Sequence, residues 1–256
     1  MHFYSNKHLK QLYFYQRFIS MDVLWQPSFL ALPVYAVAVP VLKRAYGNSA
    51  STASFWKPLM LIYNLGMVFF SLWCCVGMIM AVQRVPLFSQ DCSVAFRDPS
   101  FRRIVWAFFM SKFVEFADTL FLIVKGKNVS WLHYLHHLGA ALNMGMLYGA
   151  EDEGVWLFVM LNGFVHTFMY AYYTATLMGV KLPGKRFLTM GQLIQFFVGF
   201  GMYWQYRGIK QCHRGPRLVT FWYTYGYVGL LVCLFANFYA KSYLKKRSGA
   251  KTVKAN

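Results

Sequence analysis

Seven stretches of this chain, at 23–42, 58–83, 104–124, 128–150, 154–180, 187–206 and 218–240, each run for twenty residues or more, and six of them contain no Lys, Arg, Asp or Glu. A helix rising about 1.5 Å per residue needs about 20 predominantly apolar residues to cross the hydrocarbon core of a bilayer. Lipid offers backbone groups no hydrogen-bond partner, so such stretches must be helices or strands of a closed barrel. The short alternating segments of a barrel strand are absent. The expected fold is therefore all-α and polytopic, with seven transmembrane helices. The first span carries Pro27, Pro33 and Pro40 and is expected to be bent or peripheral. Composition points the same way. Charged residues make up 13% of the chain, about half the level of a soluble domain, and 58% hydrophobic residues exclude a disordered one.

The spans divide the chain into an N-terminal tail at 1–22, a seven-span membrane domain at 23–240 and a basic C-terminal tail at 241–256. The tail at 1–22 lacks an apolar core, so no cleavable signal peptide is expected. An odd number of spans puts the two ends on opposite sides. Basic residues are somewhat more numerous on the C-terminal side, which the positive-inside rule makes cytosolic. The net charge of +18 suits anionic headgroups or a polyanionic substrate at the membrane face; nucleic acid is not expected. Of five cysteines, Cys92 and Cys212 fall in loops on the non-cytosolic side, where they are either bridged or two separate free thiols. The sequon Asn128-Val129-Ser130 lies at the cytosolic end of a span and is read as unmodified.

Ionisable groups inside a span cost about 2.5–3.5 kcal/mol each and usually face a cavity or a partner. Here they are concentrated. Lys112, Glu115, Asp118 and Thr119 share one helical face of the third span, and His133, His136 and His137 one face of the fourth. Asn162, His166, Tyr170 and Tyr173, with Tyr172 alongside, line the fifth; Thr189, Gln192 and Gln195 are in register on the sixth. Individually these groups have plainer readings: an ion pair that fixes packing, polar contacts between helices, interfacial aromatics. Three histidines facing a fourth and two carboxylates are harder to read as packing alone. From the rise per residue, Asp118, His133 and Gln192 lie about 10 Å and His166 about 22 Å from the cytosolic end, so the stripes converge in that half of the membrane.

Two chemistries suit clustered histidines in a membrane. His133-x-x-His136-His137 locally resembles the boxes of di-iron desaturases and hydroxylases, but such a centre needs about eight histidines. Of seven here, only four lie in spans. A single zinc on these histidines with Asp118 is the smaller variant of this reading. The second chemistry is acyl transfer through an imidazole, with a neighbouring His or carboxylate moving the proton. No Gly-x-Ser-x-Gly elbow, dinucleotide fingerprint or Walker loop is present. A seven-span receptor or transporter without catalysis is a third reading.

Taken in order, Lys112-x-x-Glu115-x-x-Asp118-Thr119, His133-x-x-His136-His137, Asn162-x-x-x-His166-x-x-Met169-Tyr170-x-Tyr172-Tyr173 and Thr189-x-x-Gln192-x-x-Gln195 resemble the four signature motifs of the ELO family, the fatty acid elongases of the endoplasmic reticulum. The resemblance implies an acyltransferase of the 3-oxoacyl-CoA synthase type. It condenses a fatty acyl-CoA with malonyl-CoA to a 3-ketoacyl-CoA two carbons longer, releasing carbon dioxide and CoA. It needs no cofactor or metal, and a reductase, a dehydratase and an enoyl reductase would follow it; a homodimer is compatible with it. It implies that the last six spans surround a substrate tunnel closed on the lumenal side. His136 would be the nucleophile, His166 would assist the second half-reaction, and His133, His137, Glu115 and Asp118 would orient the rings and handle protons. Lys112, Thr119, Asn162, Met169, Tyr170, Tyr172, Tyr173, Thr189, Gln192 and Gln195 would bind substrate. The family's lumenal disulfide resembles a Cys92–Cys212 pairing. Motif context leans toward saturated, mid-length chains. Basic cytosolic residues (Lys125, Lys127, Lys181, Lys185, Arg186, Lys241) would attract the CoA phosphates, and Met144, Met146, Trp156, Phe158 and Phe164 are candidate tunnel walls.

Overall fold

A computed structural model describes residues 27–46, 54–209 and 214–244. The tail at 1–22, Cys212 and the part of the C-terminal tail beyond 244 lie outside the described residues. Among those described, the chain is helical throughout, apart from loops and an isolated bridge residue at Lys125. The α-helices are α1 (Pro27–Tyr46), α2 (Trp56–Val82), α3 (Pro99–Val114), α4 (Phe116–Val124), α5 (Trp131–Gly149), α6 (Val155–Leu177), α7 (Lys185–Trp204) and α8 (Pro216–Tyr239), which runs on into a π turn at Ala240–Leu244.

Local chemistry sets several boundaries. The Asp98 side chain accepts from Phe101 N–H at the start of α3, with Pro99 in the first turn; Ser130 caps α5 by accepting from His133 N–H. At the start of α8, Gly215 sits at φ 59° and Pro216 follows. The third expected span is not one helix. It breaks at Glu115 into α3 and α4, so the acidic residue stands at a joint, where its side chain turns inward to pair with Lys112.

Among the described residues, length and apolarity alone mark three segments as able to cross a membrane: Trp56–Val82, Val155–Leu177 and Arg217–Leu244. The other four expected spans correspond to α1, the broken α3–α4, α5 and α7. Each falls short for a visible reason: prolines and a Lys43-Arg44 end in α1, the joint at Glu115, and the His, Asn and Gln residues of α5 and α7. On α2, Ile62, Phe69, Leu72, Trp73 and Val76 are exposed, an outward apolar face suited to lipid rather than water.

Packing closes a ring of neighbours in the order α2–α3–α5–α8–α7–α6 and back to α2; α1 lies outside it, against α4 and α5. Helix direction alternates. At one end Arg102 pairs with Glu151, Arg217 Nε donates to the Ala150 carbonyl, and Trp156 Nε1 donates to the Tyr206 hydroxyl. This is the acidic-loop end. At the other, the His-box end, Arg186 Nε donates to the Tyr239 hydroxyl and Tyr134 donates to the Ala36 carbonyl. The main hydrophobic core, with Met78, Phe101, Phe109, Leu147, Leu157 and Phe221, fills the acidic-loop half of the ring. In the His-box half two smaller apolar clusters, one with Tyr35, Val39, Ile123 and Val129 and one with Met67, Met169 and Tyr170, share the space with polar groups.

Candidate functional site

The joint between α3 and α4 organises the site. Lys112 Nζ donates to Glu115 Oε1 at 2.6 Å and to Asn162 Oδ1 at 3.1 Å, and it lies over the Phe108 ring. Glu115 Oε1 also lies 3.4 Å from Ser111 Oγ and 3.9 Å from His166 Nδ1. Lys112 is 4% and Glu115 2% exposed. A pair this deep persists only because charge and hydrogen-bonding capacity are both met. One turn on, Tyr170 donates to Asp118 Oδ2 at 2.7 Å, and Thr119 Oγ1 lies 2.8 Å from His133 Nε2.

The histidines meet as their spacing requires. The His133 and His137 rings are 4.3 Å apart between centroids, and those of His136 and His137 5.4 Å. His136 stands edge-on between Phe196 of α7 and Phe235 of α8, and its Nδ1 is buried without a partner. Gln195 Oε1 is likewise buried and unpaired. Its neighbour Gln192 donates to the Met169 sulfur at 3.4 Å.

Two cavities meet at His136. The larger, about 210 Å³, opens among Asp118, His133, His137, His166, Tyr173 and Gln192. The smaller, about 60 Å³, lies deeper and is mostly apolar, with Phe108, Met144, Phe158, Leu161 and Leu231 around Lys112, Asn162 and Gln195. His136 lines both. A compartment edged by histidines, Asp118, Tyr173 and Gln192 and a deeper, more apolar one therefore share one imidazole with a free ring nitrogen.

Most of the residues expected at the site converge on it, with two departures. Tyr172 faces away: it lines an outer cleft between α6 and α7 with Phe164, Phe168 and Phe187. Tyr170 and Tyr173 follow the helical period inward, and Tyr172, about 100° from Tyr173, does not. Thr189 lies at the margin, bonded to the Lys185 carbonyl and 3.4 Å from the Tyr243 hydroxyl. Of the candidate wall residues, Met144 and Phe158 line the apolar cavity, and Met146 lines neither compartment. Trp156 is buried against Tyr206, and Phe164 is on the outer cleft. Among the described residues no three of His, Cys, Asp and Glu form a group able to hold a metal ion.

Sequence reasoning missed Tyr35, Gly139 and Tyr227. Tyr35 Oη lies 2.8 Å from Thr119 Oγ1, and Tyr227 donates to the His136 carbonyl at 2.8 Å. Tyrosines in aromatic-rich spans look like interfacial or packing residues, and nothing in the spacing of α1 or α8 separates these two from the rest. Cys92 is disulfide-bonded, and Cys74, Cys75 and Cys233 are free.

A family model described as ELO: GNS1/SUR4 family matches residues 20–251. Very long chain fatty acid elongase 6 of Gallus gallus is 28% identical over 91% of this chain and 90% of its own length. Very long chain fatty acid elongase 5 of Homo sapiens is 28% identical over 86% and 75%. Long chain fatty acid elongase 2 of Caenorhabditis elegans is 32% identical over 58% of this chain, which spans 57% of that relative's length.

Proposed function

Since the chain belongs to the ELO (GNS1/SUR4) family, we propose that it is a fatty acid elongase of the condensing type, joining a long-chain fatty acyl-CoA to malonyl-CoA. The observation that carries the reading is the placing of His136, with its unpaired Nδ1, between a compartment edged by titratable and hydrogen-bonding side chains and a deeper, more apolar one. Acyl-CoA has the same division: a polyanionic head and a long apolar tail joined at a thioester.

In the first half-reaction an imidazole nitrogen of His136 attacks the thioester carbonyl. The C–S bond breaks, CoA leaves as a thiolate that takes up a proton, and the acyl group stays on the ring. In the second, malonyl-CoA loses carbon dioxide, and the electron pair of the broken C–C bond forms an enolate. Its carbon attacks the acyl-imidazole, releasing the 3-ketoacyl-CoA and restoring His136. His166, near Glu115, assists this second step, and His133 and His137 hold the rings and exchange protons. Lys112, Asn162 and Gln195 present polar atoms beside the thioester. Water excluded from the apolar compartment cannot hydrolyse the acyl-imidazole. The acyl chain extends from His136 into a tunnel within the ring, ending against the core of the acidic-loop half.

The same reading sets the His-box end toward the cytosol of an endoplasmic reticulum membrane. Lys125, Lys127, Lys181, Lys185, Arg186 and Lys241 are exposed there, matching the CoA phosphates in charge. The N-terminus is then lumenal and the Cys92 disulfide, with Cys212 as its partner, lies in an oxidising compartment; peptide mapping without reductant checks the pairing. Purified protein given labelled malonyl-CoA and a ladder of acyl-CoAs, without NADPH, should yield 3-keto products two carbons longer. His136→Ala should abolish them. Label in no acyl product, or full activity in the variant, overturns the reading.

A further inference from the structure

An unbroken chain of polar groups runs from α1 to the histidines. Tyr35 Oη lies 2.8 Å from Thr119 Oγ1, which lies 2.8 Å from His133 Nε2. Tyr35 is 5% exposed and Thr119 1%, so water does not compete for these groups. The Tyr35 ring is stacked on Phe116 at 4.0 Å. Attachment of α1 has a separate anchor, the Tyr134 hydroxyl on the Ala36 carbonyl at 3.1 Å.

A threonine hydroxyl has one proton for two partners. A phenolic O–H is the stronger donor and its oxygen the weaker acceptor, so Tyr35 donates to Thr119 and Thr119 directs its own proton to His133 Nε2. Nε2 is then an acceptor, and the proton of the neutral ring sits on Nδ1. We propose that Tyr35 is a positioning residue of the condensing site, which through Thr119 holds His133 as its Nδ1–H tautomer and makes α1 part of the machinery. This rests on the condensing function proposed above. Without the phenol, the Thr119 hydroxyl can turn and the imidazole can take either tautomer.

The test uses the full chain in lipid nanodiscs, wild type beside Tyr35→Phe, Thr119→Val, their double variant and Tyr134→Phe. Tyr35→Phe keeps the ring stacked on Phe116 and should keep the melting temperature. It should lower kcat for condensation at least about tenfold with KM for acyl-CoA within about twofold. The loss should be absent in Tyr134→Phe, and Tyr35→Phe should add nothing to Thr119→Val. Independently of activity, ¹⁵N-histidine spectra should show the Nδ1–H pattern of His133 in wild type and its loss in Tyr35→Phe. An unchanged kcat in Tyr35→Phe, an equal loss in Tyr134→Phe, or multiplying effects in the double variant overturns the proposal. A wild-type protein that makes no 3-keto product overturns the condensing reading instead, and the His133 spectrum still decides the Tyr35 link.

Discussion

At position 139 a hydrogen atom stands where any other residue would put a carbon. A Cβ there would lie 2.2 Å from Tyr227 Cε2, inside the ring that donates through its hydroxyl to the His136 carbonyl. Gly139 and Tyr227 together seat α8 against α5 at the proposed nucleophile. Gly139→Ala should push the ring away, break that hydrogen bond and shift His136 between its two cavities. Its cost in stability should be about 1–3 kcal/mol, as for other overpacked sites, and its cost in kcat at least about tenfold. Tyr227→Phe, which loses only the hydroxyl, should be milder on both counts. Condensation kinetics beside thermal melts of the two variants separate the effects. None of this was legible from the spacing of α5, where a glycine three residues after His136 reads as an ordinary small residue of a membrane helix.

At the scale of the helix, the polar stripes were legible because an i, i+3, i+4 period puts residues on one face whatever surrounds it. The joint at Glu115 was not, because no proline or glycine marks it; the inward ion pair with Lys112 accompanies it instead. The pairing of α2 with α6 belongs to this scale too. A Cβ on Gly163 would come within 2.9 Å of the Ser71 carbonyl oxygen and 3.1 Å of the Cys75 nitrogen, so the two backbones are nearly in contact. Small residues at such a crossing supply van der Waals packing where lipid gives no hydrophobic drive. Gly163→Val should separate the helices and destabilise the protein by about 2 kcal/mol or more, seen as a lower melting temperature in detergent. It should also disturb His166, three residues along the same helix, so activity should fall with stability.

Across the whole molecule the two ends differ in kind. The His-box end has cavities and exposed cations; the loops of the acidic-loop end are tied together by Arg102–Glu151, Tyr203–Asp152 and the Glu153 carboxyl, which accepts from Phe88 N–H at 2.7 Å. Phe88 holds φ 57°, in the left-handed region, so the bond fixes a loop conformation a phenylalanine otherwise avoids. Glu153 is fully buried. That burial, with Asp152 beside it and against the pull of the Phe88 N–H and the Tyr206 hydroxyl, pushes its carboxyl up to about 7. A carboxyl raised in the folded state is stabilising while protonated. Its contribution is fully present below the ordinary glutamate range and is lost as pH rises toward 7. The melting temperature should therefore fall by about 5 °C between pH 4.5 and 7.5, and Glu153→Gln should flatten that slope. A slope unchanged in the variant would assign the pH dependence to another group.

By itself the sequence determined the helical membrane class, the placement of the helices apart from the break at Glu115, and most of the motif residues that converge, because each follows from the length of an apolar run or the angular period of one helix. Only the tertiary structure decided that α1, expected at the periphery, is linked through Thr119 to His133, that Tyr172 turns to the outer cleft while Tyr173 turns in, and that His136 joins two compartments. Those facts depend on which helices are neighbours and how closely they approach. Two tyrosines in apolar helices look alike until the helix opposite supplies a threonine hydroxyl for one and a carbonyl for the other.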